Sequence, residues 1–135
     1  MLAIAASPAR RRERGVAWAC RASILLAIVG VFGTWRSVAD VSLNGVEGPH
    51  NGWLVVIFAL IALAGVGPLA RGSWPGIICV LGSAAVILYA AVLALVEDGD
   101  AIGGRSGWGV WLTIVASTVL AGAAVYAALR RVRPR

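Results

Sequence analysis

Six acids, one histidine and two cysteines are the side chains of this chain best suited to move a proton near neutral pH or hold a metal. Most of the acids fall in two turn-rich stretches, "DVSLNGVEGPHNGW" and "EDGDAIGGRSGW", and His50 lies in the first. A hard cation such as Ca²⁺ wants six to eight oxygens, and "DGDAIGG" holds only a fragment of a D-x-[DN]-x-[DN]-G loop. Asp40 or Glu47 would have to cross from the other stretch to complete it. His50 has no companion His or Cys, and no nucleophile stands with a base beside it. No metal, no cofactor and no enzymatic activity are expected. Asp40, Glu47, His50, Asp98 and Asp100 instead form a candidate interaction set with Arg36 and Arg105, whose pairing with the acids would tie the two stretches together. Cys20 and Cys79 are not a CxxC pair and read as small buried residues.

The elements that carry these stretches are set by composition. The chain of 135 residues is 60% hydrophobic and only 13% charged, which is far from the mix of a soluble domain. A bilayer core about 30 Å thick needs roughly 20 mostly apolar helical residues to cross it. Residues 16–38, 53–70, 76–96 and 108–129 meet that need. "WLVVIFALIALAGVG" does not alternate as a barrel strand would. The expected fold is therefore all-α: a polytopic membrane protein whose four transmembrane helices form a bundle of two helix hairpins. A basic tail over 1–15 precedes it and another over 130–135 follows. "RRRERGVAWAC" is not expected to be a cleaved leader, because the apolar run comes after the small residues and the cysteine. The Asn44-Gly45 step between short alternating runs predicts a small β-hairpin in the first outer loop.

Charge and tryptophan position then orient the bundle. Arg10, Arg11, Arg12, Arg14, Arg21, Arg71, Arg130, Arg131, Arg133 and Arg135 fall on one side, and Arg36 and Arg105 on the other. The positive-inside rule places the first group, with both termini, in the cytoplasm. These arginines flank apolar spans rather than lining a groove, so the net charge of +6 does not indicate nucleic acid. Tryptophan prefers the headgroup level, and Trp18, Trp35, Trp53, Trp74, Trp108 and Trp111 all fall at span ends. With Arg21, whose side chain can snorkel, they are the expected interface anchors. Gly52-Trp53 and Gly107-Trp108 hold matching places before the second and fourth spans.

Within the spans no acid is expected at mid-depth, which argues against proton-coupled transport. Small residues recur at four-residue spacing, as in Ser117 with Ala121 and Thr118 with Gly122, and mark helix contacts. Tyr89 lies inside the third span and is expected to find an interhelical hydrogen bond. "SLNGVEGPHNGW" and "EDGDAIGGRSGW", each followed by an apolar span, give the chain a resemblance to uncharacterised small four-helix integral membrane proteins of high-GC Gram-positive bacteria. The resemblance covers most of the chain and implies a bundle in the bacterial inner membrane, with no catalytic residue to transfer. The chain departs from small multidrug transporters, whose first helix bears an embedded glutamate. The function expected is a non-enzymatic accessory or scaffold subunit whose partners are the bilayer and other membrane subunits or its own copies. The competing reading is a small homo-oligomeric channel, transporter or phage-type pore lined by Ser83, Tyr89, Ser117 and Thr118.

Overall fold

The computed structural model describes residues 7–38, 41–47, 51–99 and 104–133, apart from the side chain of Asp98. Four helices carry the chain: α1 (Pro8–Phe32), α2 (Gly52–Ala70), α3 (Trp74–Gly99) and α4 (Trp108–Val132). All four are long and apolar enough to cross a membrane, with mean hydropathy from 1.9 to 2.6 over their best windows. They form a ring in which each helix packs on its neighbours in sequence and α1 closes against α4. The result is the all-α four-helix bundle, and it carries a small sheet that the sequence only partly announces.

The interior is built from small side chains. Ala27, Ala59, Ala62, Ala84 and Ala124 are almost wholly buried and let the backbones approach closely. The tightest approach joins α1 and α4. A Cβ on Gly30 would sit 2.5 Å from the Thr113 hydroxyl and 2.8 Å from the Gly109 carbonyl, so only glycine fits there. Thr113 Oγ1 donates to the Gly109 carbonyl at 2.9 Å, which satisfies its hydroxyl inside the apolar core.

α2 and α3 are joined by Arg71–Ser73 in a Schellman turn. Ser73 N–H donates to the Pro68 carbonyl at 2.9 Å and Gly72 N–H to the Leu69 carbonyl at 2.8 Å. Gly72 takes the left-handed conformation this closure needs, with φ of +73°. The helix runs on past Pro68 to Ala70, and Pro75 occupies the second position of α3, where a missing N–H costs nothing.

The first span departs from expectation at both ends. α1 begins at Pro8, so half of the expected basic tail is helical. Proline is favoured at a first helical position, and "ARRRER" is made of good helix formers. α1 stops at Phe32, six residues short of the expected end. Gly33 turns the chain, and "TWRSV" leaves as strand β1 (Thr34–Val38), its aromatic and β-branched residues suiting a pleat.

β1 lies at the centre of a three-stranded antiparallel sheet, between β2 (Val41–Asn44) and β3 (Gly104–Ser106). The expected hairpin exists, but its turn is elsewhere. Val38 pairs with Val41, so the strands join across residues 39–40, while Asn44 ends β2. Asn44 Oδ1 accepts from the N–H groups of Val46 and Glu47, both at 2.9 Å, which makes this dipeptide a strand terminator.

Candidate functional site

Two regions hold most of the charged residues described: the sheet at one end of the bundle and an arginine-rich rim at the other. At the sheet end, Arg36 pairs with Leu43 on one side and Ser106 on the other, and Ser37 faces Arg105 across β1 and β3. The two loops are thus tied by main-chain hydrogen bonds between strands. Of the candidate interaction set, Asp40, His50 and Asp100 lie outside the described residues, as does the side chain of Asp98. Glu47 is exposed, and its carboxylate accepts from Asn44 N–H at 3.3 Å. Among the described residues no three His, Cys, Asp or Glu side chains come together as a metal cage.

Trp35 corrects its expected role. It is no interface anchor, because it is fully buried and its indole N–H donates to the Gly30 carbonyl at 2.8 Å. The cause is a register shift between Thr34 and Arg36, which makes Trp35 the bulged residue of β1. A bulge re-aims its side chain, and here the ring is delivered onto the end of the bundle. Gly45 passes over that ring, where a Cβ would lie 2.6 Å from it. The Trp35 carbonyl accepts from Gly107 N–H at 2.8 Å and so anchors the start of α4.

Gly52 plays the matching part for α2, donating to the Gly45 carbonyl at 2.9 Å. Each glycine thus ties a helix start to the sheet end by a backbone bond, Gly52 as the first residue of α2 and Gly107 as the N-cap of α4, and Trp53 and Trp108 stand exposed beside them. Trp18, Trp74 and Trp111 are also exposed, as anchors would be.

At the opposite end, the first two turns of α1, the α2–α3 turn and the end of α4 meet. The Arg131 guanidinium donates to the Gly72 carbonyl and lies 5.5 Å from the centre of the Trp74 ring. Arg130 lies 5.7 Å from the Tyr126 ring centre. Two open clefts of about 310 Å³ each flank α1 here. One is lined by Arg71, Arg130 and Arg131, the other by Arg10, Arg14 and Arg21, and Glu13 borders both. Sequence reasoning saw these arginines as flanking charge and missed the clefts, because the first fifteen residues were read as tail.

No protein-family model, curated protein or solved structure matches the chain. The argument for function rests on its own residues.

Those within the spans divide into two sets. Ser83 and Ser117 are buried inside the bundle, with Ser117 Oγ donating to the Ile114 carbonyl at 3.0 Å. Tyr89 and Thr118 face outward. Tyr89 is 68% exposed and, among the described residues, its hydroxyl has no hydrogen-bond partner. The interhelical bond expected of it is not made, because α3 turns that face away from α2 and α4. Cys20 is buried as expected, whereas Cys79 is only partly buried, and its Sγ donates to the Ile61 carbonyl of α2 at 3.3 Å.

Proposed function

We propose that the protein is a non-enzymatic integral membrane subunit that works by lateral packing against other membrane-embedded chains, as an accessory or scaffold component. It would lie in a bacterial inner membrane with both termini in the cytoplasm, in keeping with the small four-helix membrane proteins it resembles. The observation that carries this reading is the outward face of α3. Tyr89 lies near the middle of that span with its hydroxyl unpartnered among the described residues. In hydrocarbon an unpaired hydroxyl is costly, by roughly 1–3 kcal/mol on protein-based scales. Gly82 shares the exposed side of the helix, and nothing from the other helices comes within 4 Å of where its Cβ would be. A polar group beside an open notch suits a neighbouring helix better than lipid tails.

The test is extraction of the tagged full chain into nanodiscs at native expression, followed by particle mass and identification of what accompanies it. A stoichiometric partner is expected, and its recovery should fall at least tenfold in a Gly82→Leu, Tyr89→Leu variant. A partner-free single-chain particle, unchanged by that variant, sinks the reading.

The same outward residues favour one alternative, a homo-oligomeric channel formed between copies. Its lining would draw on Tyr89 and Thr118 and not on the buried Ser83 and Ser117. Recovery of a homo-oligomer whose liposomes pass ions or small polar solutes would select it.

A further inference from the structure

We propose that the face of α1 bearing Arg10, Arg14 and Arg21 is a binding site for the phosphate headgroup of an anionic phospholipid, held in the cleft between α1 and α2. Arg10, Arg14 and Trp18 follow one another at four-residue intervals, and Arg21 comes three residues later, so all four share a helix face. All four line one cleft of about 310 Å³, whose opposite wall is Gly67 and Ala70 of α2. Nothing from a neighbouring element stands within 4 Å of where a Gly67 Cβ would be, so that wall is open.

Among the described residues none of the Arg10, Arg14 and Arg21 side chains makes a hydrogen bond or ion pair. Glu13 is the single acid lining the cleft, so three positive charges against one negative leave it at +2. In the other cleft two of the three arginines are engaged, Arg131 with the Gly72 carbonyl and Trp74, and Arg130 with Tyr126.

The placement is also unfavourable without an anion. Like charges four residues apart on a helix repel. Arg10 lies in the opening turn of α1, where the helix dipole is positive and no acid offsets it. Arg21 lies five residues past Val16, where the apolar run begins, or about 8 Å further along the axis. Helical side chains lean toward the helix N-terminus. Arg21 therefore reaches back toward Arg14 at the level marked by Trp18, which is 69% exposed. That level is where lipid phosphates lie, and a guanidinium offers a phosphate two parallel N–H donors. Basic pockets between membrane helices favour anionic headgroups on these grounds. A phosphatidylcholine headgroup would bring its own cation against the arginines.

The experiment uses the full chain in neutral detergent, titrated separately with phosphatidylglycerol, phosphatidylcholine and inorganic phosphate, read by native mass spectrometry and by Tm. Phosphatidylglycerol should bind saturably and raise Tm, and phosphatidylcholine should bind at least tenfold more weakly. Arg10→Gln, Arg14→Gln and Arg21→Gln together should weaken phosphatidylglycerol roughly a hundredfold. Arg11→Gln, Arg12→Gln and Arg133→Gln remove the same charge from exposed positions outside the cleft and should change it less than threefold. Equal losses in the two triple variants would mean diffuse attraction and overturn the proposal. So would equal affinity for phosphatidylcholine, or inorganic phosphate raising Tm as far as the lipid does, which would point to a soluble anion instead.

Discussion

Single residues here gain their meaning from depth and orientation, and the tryptophans show it. Trp35 and Trp53 both follow small or turn-forming residues at a span end, yet one is fully buried and the other exposed. Trp35→Ala would open a large cavity at the sheet end and leave the Gly30 carbonyl without its indole donor. A loss of about 3–5 kcal/mol is expected. Trp53→Ala removes an exposed ring and should stay within about 0.5 kcal/mol. Titration from neutral detergent into a denaturing one, followed by circular dichroism, would separate the two, and equal effects would contradict the burial of Trp35. Gly30→Val tests the α1–α4 contact by the opposite means. Its added carbons would meet Thr113 and Gly109, and overpacking of this kind costs about 1–3 kcal/mol. The same substitution at Gly122, whose surroundings are open, should cost less than half as much in the same titration.

At the scale of elements, the turn between α2 and α3 can be tested through φ alone. Nothing lies within 4 Å of a Gly72 Cβ, so Gly72→Ala meets no clash and should lose only the roughly 1 kcal/mol that a left-handed φ costs an ordinary residue. Gly72→Asn should recover part of that in a Tm comparison, because asparagine tolerates this region. The four spans were legible because apolar length announces itself, and so was the short turn between the second and third, although α3 begins at Trp74, two residues before the expected Gly76. The sheet was not. "TWRSV" follows the apolar helix directly, with no turn sequence other than Gly33 to mark the change. The Asn44-Gly45 signal pointed to the right structure at the wrong place, since Asn44 spends its side-chain oxygen on Val46 and Glu47. β3 pairs with β1 across about seventy residues of chain, and no local pattern reports such a partner. The cleft at Arg10, Arg14 and Arg21 depended on a helix starting at Pro8, a boundary that charge patterning alone does not give.

For the whole molecule, helix order and charge together make an orientation testable. The Arg131–Gly72 bond joins the end of α4 to the α2–α3 turn, and Glu13 of α1 lines a cleft with both. Ser7, Ser73 and Arg133 therefore lie at one end of the bundle, and Val41 lies at the other, in the sheet. Arginines crowd the first end, at Arg10–Arg12, Arg14, Arg21, Arg71, Arg130, Arg131 and Arg133, whereas Arg36 and Arg105 are the cations of the sheet. In a bacterial membrane that asymmetry favours retaining the arginine end in the cytoplasm. Single cysteines placed at Ser7, Ser73, Arg133 and Val41, with Cys20 and Cys79 replaced by alanine, make this measurable. A membrane-impermeant thiol reagent applied to intact cells should label the Val41 position and spare the other three until the cells are opened. Labelling of Ser7, Ser73 and Arg133 with protection of Val41 would keep the bundle and reverse its orientation. Labelling that split those three positions would break the ring of helices itself, since α1, α4 and the α2–α3 turn would then not share an end.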